Sequence, residues 1–269
     1  MPRNLIGGSH ADGIAEVHRL GLQAMELAFV RQVNVSPSQA PEIRALAERL
    51  DVSLSAHASY YINFNSPDAS KVKASRYRVL QAARVAWRCG ADTVVFHAGW
   101  RHQDAPERVY ETVRSHVSEM VQTLREEGVG ITLRPETTGK PAQFGDLDEL
   151  LQLAQDVPGI KPCLDFAHLH ARSGLVNTEV EFEDVLRAME QALGAESLQD
   201  IHIHLSGIQY GDRGELRHLS LEDADLDYIA LLRVLRRMGV SGRIICESPV
   251  NGEDAQRLQQ AWLEMGSEC

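Results

Sequence analysis

Thr93-Val94-Val95-Phe96-His97-Ala98, the amphipathic stretch 107–127, and Gly130-Ile131-Thr132-Leu133-Arg134-Pro135-Glu136 together decide how this chain folds. The first and last segments are short apolar runs bounded by turn residues, the pattern of buried strands. Between them Val109, Val113, Val117, Met120 and Leu124 recur every three or four residues, which on a helix puts all five on one face. Gly128 closes that helix before the next strand begins. Strand, helix and strand in this order form a crossover unit, which calls for a parallel sheet.

Working outward, the same reading finds strands at 5–9, 24–29 and 53–58 on one side and at 161–166, 200–205 and 243–248 on the other. A second clear helix covers 69–90, with Val72, Val79, Ala83 and Val85 inward. Pro41-Glu42 is expected to open another helix, and Gly90 and Gly239 to close two more. Eight strands alternating with helices, at separations of roughly 20 to 43 residues, are what a closed (β/α)8 TIM barrel requires. No linker or low-complexity segment divides the chain, so residues 1–269 are expected to form one barrel with a short tail over 265–269.

A hydrophobic fraction of 43% and a charged fraction of 24% are those of a soluble globular protein. Met1-Pro2-Arg3-Asn4 leads directly into a strand-like run without the pattern of a signal peptide, so a cytoplasmic location is expected. Cys89, Cys163, Cys246 and Cys269 lack metal-type spacing and read as free thiols, Cys163 and Cys246 within apolar strands. A formal net charge of −11 argues against a broad basic surface for nucleic acid. Two or three divalent ions would change that locally, adding about four to six positive charges at one place.

In this fold, active sites lie where strands end and the following loops begin. Collecting the ionisable residue at each strand end gives His57, His97, Glu136, Asp165, His204 and Glu247, all on one rim. Any one of them alone would read as an ordinary hydrogen-bonded residue. Together they would repel or stay unpaired unless cations neutralised them. Imidazole with carboxylate suits zinc, with manganese or iron as substitutes and magnesium alone less suited. His168 and His218 extend the cluster.

His57-Ala58-Ser59-Tyr60-Tyr61-Ile62-Asn63, Phe96-His97-Ala98-Gly99, Pro135-Glu136-Thr137, Leu164-Asp165-Phe166-Ala167-His168, His204-Leu205-Ser206-Gly207 and Cys246-Glu247-Ser248 resemble the successive motifs of the endonuclease IV family, within the wider xylose-isomerase-like barrels. The resemblance implies an apurinic/apyrimidinic endonuclease that cuts double-stranded DNA 5′ to an abasic site with two or three zinc ions. It implies that His57 and His97 hold one ion with Glu136, which bridges to a second held by Asp165, His204 and Glu247. His168 and His218 would hold a third. There the sequence departs from the pattern: the expected aspartate two residues before the last histidine is Leu216, leaving Glu215 or Asp212 to substitute. The same resemblance makes Glu136 the catalytic residue and assigns substrate contacts to Arg31, Tyr60, Tyr61 and Asn63. Lys71, Lys73, Arg76, Arg101 and Lys140 are further candidates for phosphate. The chain is expected to act as a monomer, with no membrane partner.

The alternative is a sugar isomerase or epimerase, since Glu136, Asp165, His204 and Glu247 alone would make that branch's single-metal site. A barrel kept only for binding would show damaged ligands, and the visible departure is Leu216.

Overall fold

The computed structural model describes residues 8–267, and the side chain of Ser267 lies outside that description. Helix α1 (His10–Arg19) starts at Ser9, whose hydroxyl accepts from Asp12 N while the Asp12 carboxylate accepts from Ser9 N. Each partner satisfies a helix-terminal donor of the other. Then follow β1 (Ala24–Ala28), α2 (Gln39–Leu50), β2 (Ser53–His57), α3 (Ala69–Arg88), β3 (Thr93–Phe96), α4 (Pro106–Glu126), β4 (Thr132–Pro135) and α5 (Leu147–Asp156). The second half comprises β5 (Cys163–Asp165), α6 (Phe166–Ser173), α7 (Glu179–Leu193), a 3-10 turn, β6 (Ile201–Leu205), the hairpin β7 (Gly207–Gly211) and β8 (Gly214–Leu219), α8 (Tyr228–Arg237), β9 (Gly242–Cys246) and α9 (Asn251–Ser267).

Strands β1 to β4 pair in parallel in chain order, and β5, β6 and β9 do the same. Parallel bridges Glu136↔Cys163 and Leu133↔Ile160 join the two halves, and β9 lies against β1. The fold is the expected TIM barrel. The expected strand over 5–9 falls mostly outside the described residues, and its last residue, Ser9, is the cap of α1. Residues 265–267 of the expected tail belong to α9.

Helix α4 buries all five of the residues predicted to face inward, in the apolar cluster that also holds Val94 and Phe96 of β3 and Leu133 of β4. Each such side chain contributes about 1.5–3 kcal/mol on leaving water. Helix α3 is rotated from the expectation. It buries Ser75, Val79, Ala82, Ala83 and Ala86, while Val72 and Val85 are only half-buried. Alanines lie on the inward face because they let the helix approach the strands closely. Helix α2 begins two residues before Pro41, which sits in its first turn, where a missing N–H costs nothing. Gly90, Gly128 and Gly239 follow their helices with φ of 89°, 67° and 65°, the left-handed geometry expected of a terminating glycine.

Side chains alternate along each strand, so one set packs outward under the helices and the other fills the barrel. The inner set is unusually polar. Arg134 is 1% exposed near the end of the barrel opposite the strand C-termini, donating to Pro162 O at 3.1 Å and to Asp200 O and Oδ2 at 2.9 Å. Toward the strand C-termini follow Glu26, Ser55, Cys163 and His202, then the rim.

Candidate metal centre

The ends of the strands place the predicted residues together. His57 is the last residue of β2, and His97 directly follows β3. Glu136 follows β4, Asp165 ends β5, His204 lies in β6, and Glu247 follows β9. Strand β5 is shorter than the expected 161–166 because Asp165 caps α6: its Oδ1 accepts from His168 N at 2.7 Å. The helix therefore starts at once, and its first turn turns His168 back over the rim. His218 arrives on β8, part of an antiparallel hairpin where the sequence suggests only a long connection.

Glu136, 1% exposed, is the hub. Its Oε2 lies 3.1 Å from His57 Nε2 and 3.3 Å from His97 Nε2, while Oε1 lies 3.2 Å from His168 Nδ1 and 3.3 Å from His204 Nδ1. The two oxygens of one carboxylate thus face opposite sides of the centre. Beyond them, Asp165 Oδ2 is 3.2 Å from His168 Nδ1, and Glu247 Oε1 is 3.5 Å from His204 Nδ1. His168 and His218 meet through their Nε2 atoms at 3.3 Å. Among the described residues four groups have ligand atoms within 4.8 Å of one another: three at the rim, His57, His97 and Glu136; Glu136, Asp165, His204 and Glu247; and Asp165, His168 and His218; and one deeper in the barrel, Cys163, His202 and His204. Each could hold a metal ion.

Glu136 Oε1, Asp165 Oδ2 and His204 Nδ1 are buried with no hydrogen-bond partner. Buried polar atoms in that state cost stability unless something satisfies them, and a cation at each group would do so. Oxygen and imidazole nitrogen are the donors that zinc takes. Electrostatics point the same way. Burial pushes Glu136 up, but His97 and His204 hold its carboxyl well below the usual range. Burial opposes the charged forms of His57 and His168, yet Glu136 raises the first to about 9 and Asp165 with Glu136 raises the second to about 10. Burial lowers His97 to about 4 and raises Asp165 to about 6. Protons on histidine thus do in part what metal ions would do.

Glu215 points inward, with Oε2 at 3.6 Å from His168 Nε2. It is held there where β8 crosses the loop after β4, with Glu215 N donating to Gly139 O at 2.9 Å. A Cβ at Gly139 would come within 2.6 Å of Glu215 Cβ, so this position demands glycine. Asp212 and Leu216 are exposed, Leu216 at 61%.

Among the candidate substrate residues, Arg31, Tyr60 and Tyr61 are exposed, and Tyr60 lies against the centre. The Tyr60 ring lies 5.5 Å from that of His57, and Arg78 sits 6.0 Å over Tyr61. Asn63 is instead occupied in tying two loops together: its Oδ1 accepts from Asn65 N and Trp100 N, each at 3.2 Å, and its amide nitrogen lies 3.0 Å from His102 Nε2. Arg101 is taken up by Glu149 and Asp146, and Arg76 by Glu119. Lys71 and Lys73 are exposed, and Lys140 is half-buried.

Two residues of the site escaped the sequence reading. Glu26 of β1 lies within the barrel, its Oε2 at 3.2 Å from His202 Nε2 and its Oε1 at 3.2 Å from His204 Nε2. Burial pushes its carboxyl up, but His204 and His202 hold it well below the usual range. The signals were a carboxylate inside the apolar run Met25-Glu26-Leu27 and the alternation Ile201-His202-Ile203-His204.

A model of the xylose isomerase-like TIM barrel family matches residues 14–265. An uncharacterized protein of Methanocaldococcus jannaschii is 40% identical over 250 residues, 93% of this chain and 90% of that protein. A probable endonuclease 4 of Aquifex aeolicus is 27% identical over 165 residues, 60% of this chain and 58% of that protein. Among solved structures, endonuclease IV from Thermus thermophilus superposes with a TM-score of 0.72 at 27% identity, covering 96% of this chain and 95% of its own. A D-tagatose 3-epimerase-like protein superposes with a TM-score of 0.69 at 21% identity, covering 92% and 90%, a likeness of fold alone.

Proposed function

From the premise that the chain belongs to the xylose isomerase-like TIM barrel family, we propose that it is a metal-dependent endonuclease hydrolysing the phosphodiester 5′ to an abasic site in double-stranded DNA. The observation that carries this reading is the number of ligand groups. Glu136, Asp165, His204 and Glu247 would suffice for one ion, as a sugar isomerase or epimerase needs, yet His57 with His97 and His168 with His218 stand beside them as further pairs. The likeness to the Thermus thermophilus endonuclease IV over nearly the whole chain supports it.

Two or three zinc ions, or manganese or iron in their place, would supply charge neutralisation at phosphate oxygens and acidify water. The chain's own residues do the rest. Glu136 fixes the spacing of the groups, because its two oxygens face opposite sides of the centre. Tyr60 keeps its proton, since partial desolvation against the rim and the nearby carboxylates of Glu247 and Glu136 push it up to about 12 although the ring is largely exposed, and its hydroxyl can donate to a phosphate oxygen at the mouth of the centre. Tyr61 and Arg31 are exposed and would be the further contacts to the DNA. A nucleotide lacking its base has no stacking to lose, so turning it into the centre costs less than extruding an intact one.

The test is incision of a duplex oligonucleotide carrying one abasic analogue by the zinc-loaded protein. Cleavage 5′ to the lesion, absent from the undamaged duplex, is the expected result. Epimerisation of a ketohexose without incision would establish the sugar-enzyme alternative instead.

Within this reading Glu215 stands in for the carboxylate missing at Leu216 and completes the group of Asp165, His168 and His218. At 3.6 Å from His168 Nε2 it is the least securely placed donor, so mild chelation should remove that ion first. Glu215→Ala is expected to bind about one zinc ion fewer per chain than the unaltered protein, whereas His57→Ala should leave this ion in place. Unchanged zinc content in Glu215→Ala, measured by atomic emission, would remove Glu215 from the centre.

A further inference from the structure

The rim histidines do not all face the centre in the same way. His57, His168 and His218 each place Nδ1 near a backbone carbonyl: Ala58 O at 2.7 Å, Thr137 O at 3.0 Å and Glu247 O at 3.2 Å. A carbonyl can only accept, so each Nδ1 carries the proton. For His57 and His168 this leaves Nε2 directed to Glu136 or to the Glu215 and His218 side. His204 is turned the other way. Its Nδ1 is at the centre, 3.3 Å from Glu136 Oε1 and 3.5 Å from Glu247 Oε1, and its Nε2 points down into the barrel at Glu26 Oε1, 3.2 Å away.

Glu26 is itself held. Its Oε2 accepts from Ser55 Oγ at 2.8 Å and from His202 Nε2 at 3.2 Å, the latter an aligned hydrogen bond. The contact with His204 is equally short, though off the line of the ring N–H. Met25 and Leu27, on either side of Glu26, belong to the apolar cluster outside the barrel. Strand alternation therefore commits the carboxylate to the interior. An acid is placed there at a cost in desolvation, which packing alone would not require.

We infer that Glu26 is the positioning residue of His204: it keeps the ring proton on Nε2 and presents Nδ1 to the group of Glu136, Asp165 and Glu247, with His202 and Ser55 holding Glu26 for that task. A carboxylate behind a ligating imidazole fixes its tautomer and raises its basicity, and loss of such a partner costs about 10- to 100-fold in metal affinity. The inference rests on the metal centre of the proposed function but not on its DNA substrate.

Glu26→Gln tests it, because the amide keeps the volume of the acid and offers one acceptor where two imidazoles need one each. Zinc alone is titrated into metal-stripped protein against a competing chelator, and the thermal midpoint of the metal-free variant is measured alongside. The expected result is that one binding step weakens by about 10- to 100-fold while the other steps stay near those of the unaltered protein and the metal-free variant, though lowered in midpoint by loss of a buried charge partner, remains folded at the temperature of the titration. In zinc-loaded protein with 15N-labelled histidine, long-range couplings should place the proton of His204 on Nε2. Unchanged zinc steps, or a His204 proton on Nδ1 in the unaltered protein, would overturn the inference. If Glu26→Gln weakens one step while the unaltered protein leaves abasic DNA intact, the nuclease reading fails and this inference stands. If incision occurs and the zinc steps do not change, the inference alone fails.

Discussion

Glu136→Gln is expected to fold as the unaltered protein does and to lose at least about a thousandfold in kcat on abasic DNA, roughly 4 kcal/mol of transition-state stabilisation. The amide is nearly the same size as the acid, so the fit among His57, His97, His168 and His204 survives. What it cannot do is offer two anionic oxygens to opposite sides of the centre, the feature that distinguishes this residue geometrically. Both the first and second ligand groups contain it. The neutral side chain should therefore weaken ions in both, and zinc content should fall together with turnover. Near-normal turnover with full zinc content would mean that the bridging role belongs elsewhere. The measurement is steady-state incision of an abasic duplex at saturating zinc, with circular dichroism to establish that the barrel is intact.

Much of this centre could be read from the sequence because a barrel converts position into place. Once His57, His97, Glu136, Asp165, His204 and Glu247 are each assigned to the end of a parallel strand, closure of the sheet brings them together without any further information. What could not be read depended on contacts made after closure. Glu26 and His202 lie in mid-strand, where a polar residue within an apolar run signals inward direction but not a partner; the partner is on a strand about 176 residues away. The β7–β8 hairpin is hidden in the sequence because Gly207–Gly211 and Gly214–Leu219 mix glycine, polar and apolar residues, so neither run carries a clear apolar alternation. With the hairpin unseen, Glu215 and Asp212 stand as alternatives in the sequence; the hairpin turns Glu215 inward beside Gly139 and leaves Asp212 exposed. The face of α3 differs for another reason: valine reads more strongly than alanine as the mark of a buried position, although close helix-strand approach favours the smaller side chain.

Removal of all metal by a strong chelator is expected to reduce incision to below about 1% while leaving the barrel folded at pH 7. The proposed chemistry is placed at the rim, whereas the apolar clusters that hold helices to strands contain none of its candidate ligands. Without cations the buried carboxylates would repel one another, but protons on histidine offset this. His57 and His168, raised to about 9 and about 10, carry charge at neutral pH beside Glu136 and Asp165. Groups whose pKa is raised on folding contribute stability that is complete below their unfolded value, about 6.5 for histidine, and is lost as pH rises through the folded value. Asp165, raised to about 6, loses its contribution between about pH 4 and pH 6, below the range in which the histidines act, so the slope above pH 7 belongs to the histidines. The thermal midpoint of the metal-free protein should therefore fall by about 5–10 °C between pH 7 and pH 10. Metal-loaded protein should show little of this slope, because each ligating imidazole has already exchanged its extra proton for a cation. Differential scanning calorimetry across that range, with and without chelator, makes the comparison. Unfolding of the metal-free protein at pH 7 would show that the rim holds the barrel together. Identical slopes in the two states would show that the histidine protons and the metal ions do not occupy the same groups.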